Sequence, residues 1–256
     1  MAKIIFLGTS SSVPTKTRDN TSLLLLFKNQ KILIDAGGSP CHKLEKIGIR
    51  FWELKDIIIT HLHPDHIYGL VNLIHSQGYL NKYLNLYTHK ESITFIKKFS
   101  QLFKVYKRHP YPELIFKDVF SQRFFYAKEN LKLQAFKTFH TPQSFGIKIY
   151  KNSKKIVYTS DTKFSEKLIE ECAGADTLIA DCTSYEAYFR KHPQLYRMHT
   201  SSRQLGYIAE KSKVKKLVPL HFLELEKNTL RTIIKELKKN YRGKIIIPQD
   251  FSKIYF

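Results

Sequence analysis

Residues 61–66 hold three histidines and one aspartate within six positions: His61, His63, Asp65 and His66. Imidazole and carboxylate groups are ligands that suit zinc and similar divalent ions. Four such groups are more than a single tetrahedral ion takes comfortably from one loop. Alternation along an extended segment sends His61, His63 and Asp65 to one side, and His66 follows as the loop turns into a helix. The cluster therefore predicts two adjacent metal ions rather than one.

Further ligand-type residues follow predicted strands elsewhere in the chain. His140 follows a strand at 131–139, Asp161 follows one at 155–159, and His221 follows one at 216–220. Residue 61 itself follows a buried strand at 57–60. Ligands at four separate strand ends are typical of a site at one edge of a sheet. We predict that His61, His63 and His140 bind the first metal, that Asp65, His66 and His221 bind the second, and that Asp161 is shared.

A dinuclear site of this kind suits phosphodiester cleavage. One oxygen bridges the two ions and becomes hydroxide near neutral pH, while the ions neutralise charge on the attacked phosphorus and the departing oxygen. The ligand mix accepts several divalent ions, so the native metal stays open at this point.

The elements that position these residues alternate between strands and helices. Short apolar runs predict strands at 4–8, 22–27, 31–35, 57–60, 84–88, 119–126, 131–139, 145–150, 155–159, 177–180, 216–220 and 244–247. Helical spacing and caps predict helices at 39–47, 65–78, 91–103, 165–173, 201–212 and 229–241, with 104–118 irregular. This pattern predicts an α/β protein of two packed sheets with helices outside each. No low-complexity linker divides residues 1–256, so we expect a single domain.

The charge is the second large feature, with 43 Lys and Arg against 22 Asp and Glu and a net charge of +21. A codon bias toward lysine contributes, but it does not explain the shortage of acids. A chain this basic attracts polyanions, and nucleic acid is favoured over a membrane because no basic amphipathic anchor stands out. No apolar stretch is long enough for a membrane span and we expect no signal peptide, and three cysteines without a paired motif predict the reducing cytoplasm.

Several motifs carry a resemblance to a known family. The run from His61 to Gly69 resembles the metal motif of the metallo-β-lactamase superfamily. Residues 6–10 and 13–20 resemble the N-terminal segment of ribonuclease Z, the tRNA 3′-processing endonuclease, and residues 199–222 resemble the C-terminal half of that family. The resemblance implies a four-layer αββα sandwich, two Zn²⁺ ions (with Mn²⁺ as the alternative), precursor tRNA as substrate, and a homodimer.

The resemblance also implies roles for individual residues. Asp65 would be both a ligand and the base that readies the water. His199 would act near the leaving oxygen as proton donor or oxyanion stabiliser, and Asp181 stands where the family has a glutamate that orients this histidine. The shorter acid is a departure. A second departure is that Asp161 follows His140 by only 21 residues, which leaves no room for the arm by which the family grips tRNA.

Two segments combine cations with aromatic rings, and each has two interpretations. In Phe95–Arg108 the phenylalanines recur every four residues, which predicts either core packing of a helix or stacking on RNA bases. Tyr185–Met198 lies between Asp181 and His199 and would overhang the site, either as substrate contact or as ordinary structure.

The combined prediction is a metal-dependent phosphodiesterase, an endoribonuclease that removes the 3′ trailer of precursor tRNA by attack of a metal-held hydroxide. Three alternatives stay open. They are a small-molecule phosphodiesterase acting for example on cyclic nucleotides, a hydrolase of another bond such as a lactam or thioester, and an inactive nucleic-acid-binding relative.

Overall fold

The computed structural model describes residues 2–256, which form two seven-stranded sheets. The strands of the first sheet are β1 (Ala2–Gly8), β2 (Ser22–Phe27), β3 (Gln30–Ile34), β4 (Asp56–Ile58), β5 (Tyr83–Thr88), β6 (Glu113–Asp118) and β14 (Lys253–Tyr255). The strands of the second are β7 (Tyr126–Lys128), β8 (Leu131–Lys137), β9 (Phe145–Lys151), β10 (Lys154–Tyr158), β11 (Thr177–Asp181), β12 (Lys216–Leu220) and β13 (Lys244–Ile245).

Both sheets follow the same plan. The first has the order β14-β1-β2-β3-β4-β5-β6, and the second has the order β13-β12-β11-β10-β9-β8-β7. In the first sheet, pairing is antiparallel from β14 to β3 and parallel from β3 to β6. In the second, pairing is antiparallel from β7 to β10 and parallel from β10 to β13. Neighbouring parallel strands have their C-terminal ends on the same side of a sheet, so in each sheet several loops meet on that side.

Eight α-helices complete the fold of the described residues, 2–256. They are α1 (Pro40–Lys46), α2 (Pro64–Ile67), α3 (Gly69–Ser76), α4 (Lys90–Leu102), α5 (Glu166–Cys172), α6 (Glu186–Lys191), α7 (Ser202–Lys211) and α8 (Thr229–Asn240). Short 3₁₀ turns lie at Phe51–Glu53 and Pro193–Arg197. None of the helices in the described part of the chain has the length and apolar character that a membrane crossing requires.

Alternation along the strands divides the core into layers. Ile4 and Phe6 of β1 face the second sheet, whereas Ile5 and Leu7 face the outer helices. Leu44 of α1, Leu73 of α3 and Ile96 of α4 cover this outer face, and α5, α7 and α8 cover the outer face of the second sheet in the same way. Successive strand residues point to opposite faces, so apolar residues on both faces require two covering layers. The predicted αββα sandwich is therefore confirmed.

The region between α4 and β8 differs from the sequence prediction. Residues 113–118, predicted irregular, form the edge strand β6, and the strand predicted at 119–126 is mostly a turn. Asp118 ends β6 because its carboxylate accepts a hydrogen bond from the Phe120 amide (3.1 Å) and its carbonyl accepts one from the Ser121 hydroxyl (2.8 Å). Such local bonds favour a turn over a ladder. The aromatic run at 119–126 suggested a strand, but only its ends are buried.

The helix predicted over 65–78 is split into α2 and α3 around Tyr68. A Cβ at Gly69 would lie 2.6 Å from the carbonyl oxygens of Ala36 and Gly38. This close approach holds the loop of residues 61–68 against the end of β3, and only glycine permits it. Helix α6 and strand β14 are further elements that the sequence pattern did not predict.

Candidate active site

The candidate site lies where the C-terminal ends of strands from both sheets come together. His61 follows β4 in the first sheet, and His140, Asp161 and His221 follow β8, β10 and β12 in the second. The sheets are joined at this edge by the Thr60 and Ser160 hydroxyls, whose oxygens lie 2.7 Å apart. The Phe145 amide also donates to the Thr60 carbonyl (3.3 Å). Two rigid layers therefore face each other across the site.

The loop between β4 and α2 brings its three imidazoles into contact. The His61 ring centroid lies 4.9 Å from that of His63 and 4.1 Å from that of His66. His61 and His66 are fully buried, and Asp65 is 8% exposed. Pro64 begins α2, so its fixed φ starts the helix immediately after the extended residue His63. The change from extended to helical backbone turns His66 inward beside His61.

Asp161 occupies the centre of the cluster. Its Oδ2 lies 3.1 Å from His221 Nε2, 3.5 Å from His66 Nε2, and 3.7 Å from both His61 Nε2 and His140 Nε2. Asp65 Oδ2 lies 3.3 Å from His221 Nε2 and 3.6 Å from His66 Nε2. One carboxylate surrounded by four imidazole nitrogens has the position of a shared ligand.

The structure brings together all seven residues predicted as metal ligands. His61, His63 and His140 form one group whose ligand atoms lie within 4.8 Å of one another, and Asp65, His66 and His221 form a second. Asp161 joins His61 and His66 in a third group within the same distance. These groups correspond to the two predicted sites and their shared carboxylate.

The donor atoms fit divalent metal ions. His61 Nε2 and His66 Nε2 are buried without a hydrogen-bond partner. An unsatisfied buried polar atom costs about 1–3 kcal/mol, so these two nitrogens need a partner that the described residues do not supply. Burial lowers the pKa of His61 well below its usual range and lowers that of His140 to about 4. Both rings are therefore neutral at pH 7, which is the form that binds a metal.

Asp35 is a site residue that the sequence analysis missed. Its Oδ2 lies 2.9 Å from His66 Nδ1, and it accepts hydrogen bonds from the Thr60 amide (2.8 Å) and hydroxyl (2.8 Å). An imidazole that donates Nδ1–H to this carboxylate keeps its Nε2 lone pair directed at the cluster. The available signal was an acid directly after the apolar strand β3, the same signal that singled out Asp161.

Two further orienting contacts come from the second half of the chain. His140 Nδ1 lies 2.8 Å from the Met198 carbonyl, to which it donates, and His221 Nδ1 lies 3.3 Å from the Thr183 hydroxyl. The first contact fixes the His140 ring so that Nε2 faces Asp161. It also ties the Tyr185–Met198 segment to the cluster, so this segment does border the site.

His199 and Asp181 form a pair beside the cluster. His199 Nδ1 lies 2.9 Å from Asp181 Oδ2, and the Thr183 hydroxyl and Thr162 amide donate to the same carboxylate at 2.7 and 3.2 Å. The aspartate therefore reaches the histidine despite its shorter side chain. Burial lowers the pKa of His199, but Asp181 raises it and the result is about 9. The ring, 12% exposed, stacks at 5.2 Å from His221.

Three residues at these strand ends have left-handed backbone. They are Asp35 (φ 61°), Ser160 (φ 54°) and His221 (φ 66°). This conformation costs roughly 1–2 kcal/mol for a residue with a Cβ, and it persists where the surroundings fix it. In each case the strand has ended, and the side chains of Asp35 and His221 meet the cluster while that of Ser160 meets Thr60 of the facing sheet.

Fold and site together define a metal-dependent hydrolase of the metallo-β-lactamase fold. The family model described as "Anti-Pycsar protein Apyc1" matches residues 2–229, and the chain belongs to this family.

Individual relatives agree with the resemblance predicted from the sequence. The protein named Ribonuclease Z of Archaeoglobus fulgidus is 24% identical, with 98% of this chain and 97% of that protein aligned. The metallo-beta-lactamase fold protein YhfI from Bacillus subtilis is similar in structure (TM-score 0.82, 20% identity, 99% of this chain and 98% of that one). The short form of human tRNase Z has a TM-score of 0.77 at 21% identity, with 99% and 98% covered.

Proposed function

We propose that this chain is a metal-dependent phosphodiesterase that cleaves RNA and removes the 3′ trailer of precursor tRNA. The observation that carries the proposal is the position of Asp161 Oδ2, within 3.7 Å of four imidazole nitrogens from both halves of the molecule. In this proposal His61, His63 and His140 hold one Zn²⁺, Asp65, His66 and His221 hold the other, and Asp161 is shared.

The residues around the ions divide the chemistry between them. When bound, the ions supply activated water at neutral pH and neutralise negative charge on the phosphate. Asp65, beyond its role as ligand, accepts the proton of the water that attacks phosphorus. His199 donates a proton to the oxygen that leaves when its bond to phosphorus breaks. Asp181 holds the His199 ring through Nδ1, which leaves Nε2 free for that transfer.

RNA as the substrate has two supports. The matched relatives include proteins named Ribonuclease Z that align over nearly their whole length, and the net charge of +21 favours a polyanion. The test is incubation with a tRNA that carries a 3′ trailer, with Zn²⁺ or Mn²⁺ supplied. The proposal expects a single endonucleolytic cut that releases the trailer. An intact trailer under conditions in which a simple phosphodiester is hydrolysed would exclude tRNA processing.

A small phosphodiester is the second candidate substrate, and one structural observation favours it. Strands β9 and β10 are joined by a turn at Asn152 and Ser153, so no arm extends between His140 and Asp161. The matched family model is also named for anti-Pycsar protein Apyc1 and not for a ribonuclease. A cyclic nucleotide tested beside the tRNA decides between the two, because turnover of the cyclic nucleotide alone favours this candidate.

The proposal also covers the oligomeric state, the domain organisation and the cellular compartment of the enzyme. We expect a homodimer in which one subunit's basic surface holds the RNA that the other cuts, and sedimentation velocity tests this. We also expect one domain over residues 1–256, which limited proteolysis tests. Cys41, Cys172 and Cys182 are unpaired, and this supports the reducing cytoplasm as the compartment.

A further inference from the structure

The outer side of α4 carries aromatic rings that the core does not cover. Phe95 is 45% exposed, Phe103 is 58% exposed and Leu102 is 79% exposed. The centroids of the Phe95 and Phe99 rings lie 5.9 Å apart, and those of Phe99 and Phe103 lie 5.5 Å apart. Core packing, one of the two interpretations of this spacing, holds for Ile96 and in part for Phe99, but not for Phe95 and Phe103. We call residues 95–108 the α4 platform.

The α4 platform is also strongly and one-sidedly basic. Residues 92–112 contain no Asp or Glu. Five cations lie in this stretch: Lys97, Lys98, Lys104, Lys107 and Arg108. Among residues 2–256, none of the five forms an ion pair, whereas Lys148 and Lys154 on the second sheet and Lys215 directly before β12 all pair with carboxylates. The positive charge of the platform is therefore left uncompensated.

The exposed rings and the unpaired cations together indicate which partner binds the α4 platform. A second copy of the chain docking by the same face would bring ten unpaired cations together across one interface, which like-charge repulsion opposes. Single-stranded RNA matches both properties, because bases stack on aromatic rings and phosphates contact cations. We propose that the α4 platform binds single-stranded RNA; this rests on the proposed function, in which RNA is the substrate.

The platform is connected to the candidate site. Helix α4 begins beside the loop that carries His140, where Gln143 Nε2 donates to Glu91 Oε2 (3.2 Å). From Phe95 to Phe103 the helix rises about 12 Å away from this edge. RNA held at the metal centre therefore continues along α4, and the platform contacts nucleotides distant from the cleaved bond.

Binding of a fluorescent oligouridylate, measured by anisotropy, tests the platform with two double variants and two matched controls. F95L/F103L removes two rings but keeps apolar volume, and Y255L is its control on an exposed ring of β14. K98Q/K104Q removes two exposed charges, and K238Q/K239Q removes two from α8. We expect each platform variant to bind at least about fivefold more weakly. K98Q/K104Q also lowers the salt slope by about 1.4, and the controls match the wild type.

The outcome is separable from that of the proposed function. All four variants should hydrolyse bis(p-nitrophenyl) phosphate at the wild-type rate, because none touches the metal cluster. If tRNA is not processed but the platform variants still weaken RNA binding, the proposed function fails and the platform stands. If both platform variants bind RNA with wild-type affinity, the proposal that the α4 platform binds RNA is wrong. A change in sedimentation, or loss of poly-glutamate binding, without any effect on RNA would instead identify a protein interface and also overturn it.

Discussion

The two sheets share one strand plan, yet they supply the site in different ways. The first sheet contributes four ligand-type residues from one loop of six residues, held from behind by Asp35. The second contributes single residues from three separate strand ends, at His140, Asp161 and His221, and adds the pair of His199 and Asp181. A contiguous motif is specified by local sequence, whereas the dispersed set exists only when the second sheet is folded. The contiguous motif of the first sheet therefore indicates the chemistry from sequence alone, whereas the second sheet supplies the remaining site residues only when it is folded.

The strongest test of this comparison removes one ligand from each half. His63→Ala and Asp161→Ala should each lower kcat at least about a thousandfold, because each leaves its site short of a ligand that sets metal geometry and charge. Steady-state kinetics with added Zn²⁺ measure the loss. Asp176→Asn, at the opposite end of the second sheet, is the matched control and should stay within about twofold of wild type. Full activity in either ligand variant contradicts the shared centre.

The next prediction concerns the pair that only the second half supplies. His199→Ala should lower kcat about 10²- to 10⁴-fold, the usual contribution of a general acid, with bound metal unchanged. Metal analysis beside kinetics separates loss of the proton donor from loss of a ligand. His192→Ala, in the same segment but away from the cluster, is the control. Loss of metal in the His199 variant would assign that residue to the ligands.

A smaller effect should distinguish the two buried carboxylates that orient histidines. Asp35→Asn should weaken metal affinity about 10- to 100-fold, because Asp35 holds His66, one of the proposed ligands. Asp181→Asn should chiefly lower kcat, because Asp181 holds His199, which is not among the seven proposed ligands. Metal titration followed by kinetics at saturating metal gives both values for each variant. Equal losses of metal affinity in the two variants would contradict the different roles proposed for Asp35 and Asp181.

The smallest effect is expected at the β9–β10 turn, which also follows a strand but performs no chemistry. Asn152 has left-handed backbone (φ 52°) that glycine adopts without strain. Asn152→Gly should therefore change the free energy of unfolding by less than about 1 kcal/mol and leave RNA kinetics unaltered. Thermal denaturation and trailer cleavage check both. A large rise in KM for the tRNA would show that this hairpin binds substrate.

Sequence reasoning succeeded where the pattern is local. The cluster of ligand-type residues at 61–66, the placement of His140, Asp161 and His221 after β8, β10 and β12, and most strands follow from residue type, spacing and alternation. It failed at the turn after β6, where local hydrogen bonds to Asp118 outweigh the aromatic run, and at the break in the helix, where Gly69 packs against the carbonyls of Ala36 and Gly38. Asp35 escaped because the strand predicted at 31–35 includes it, so it did not stand out beyond a strand end as Asp161 does. The exposure of Phe95 and Phe103 also required the structure, since a four-residue period does not decide between core packing and an exposed stacking face.

The central claim is that side chains from both halves form one two-metal centre. The most direct measurement is an anomalous difference map at the zinc edge from crystals of metal-loaded protein. It should show two peaks, one beside His61, His63 and His140 and one beside Asp65, His66 and His221, with Asp161 between them. No peak at this edge of the sheets, or zinc bound only elsewhere, would contradict the claim.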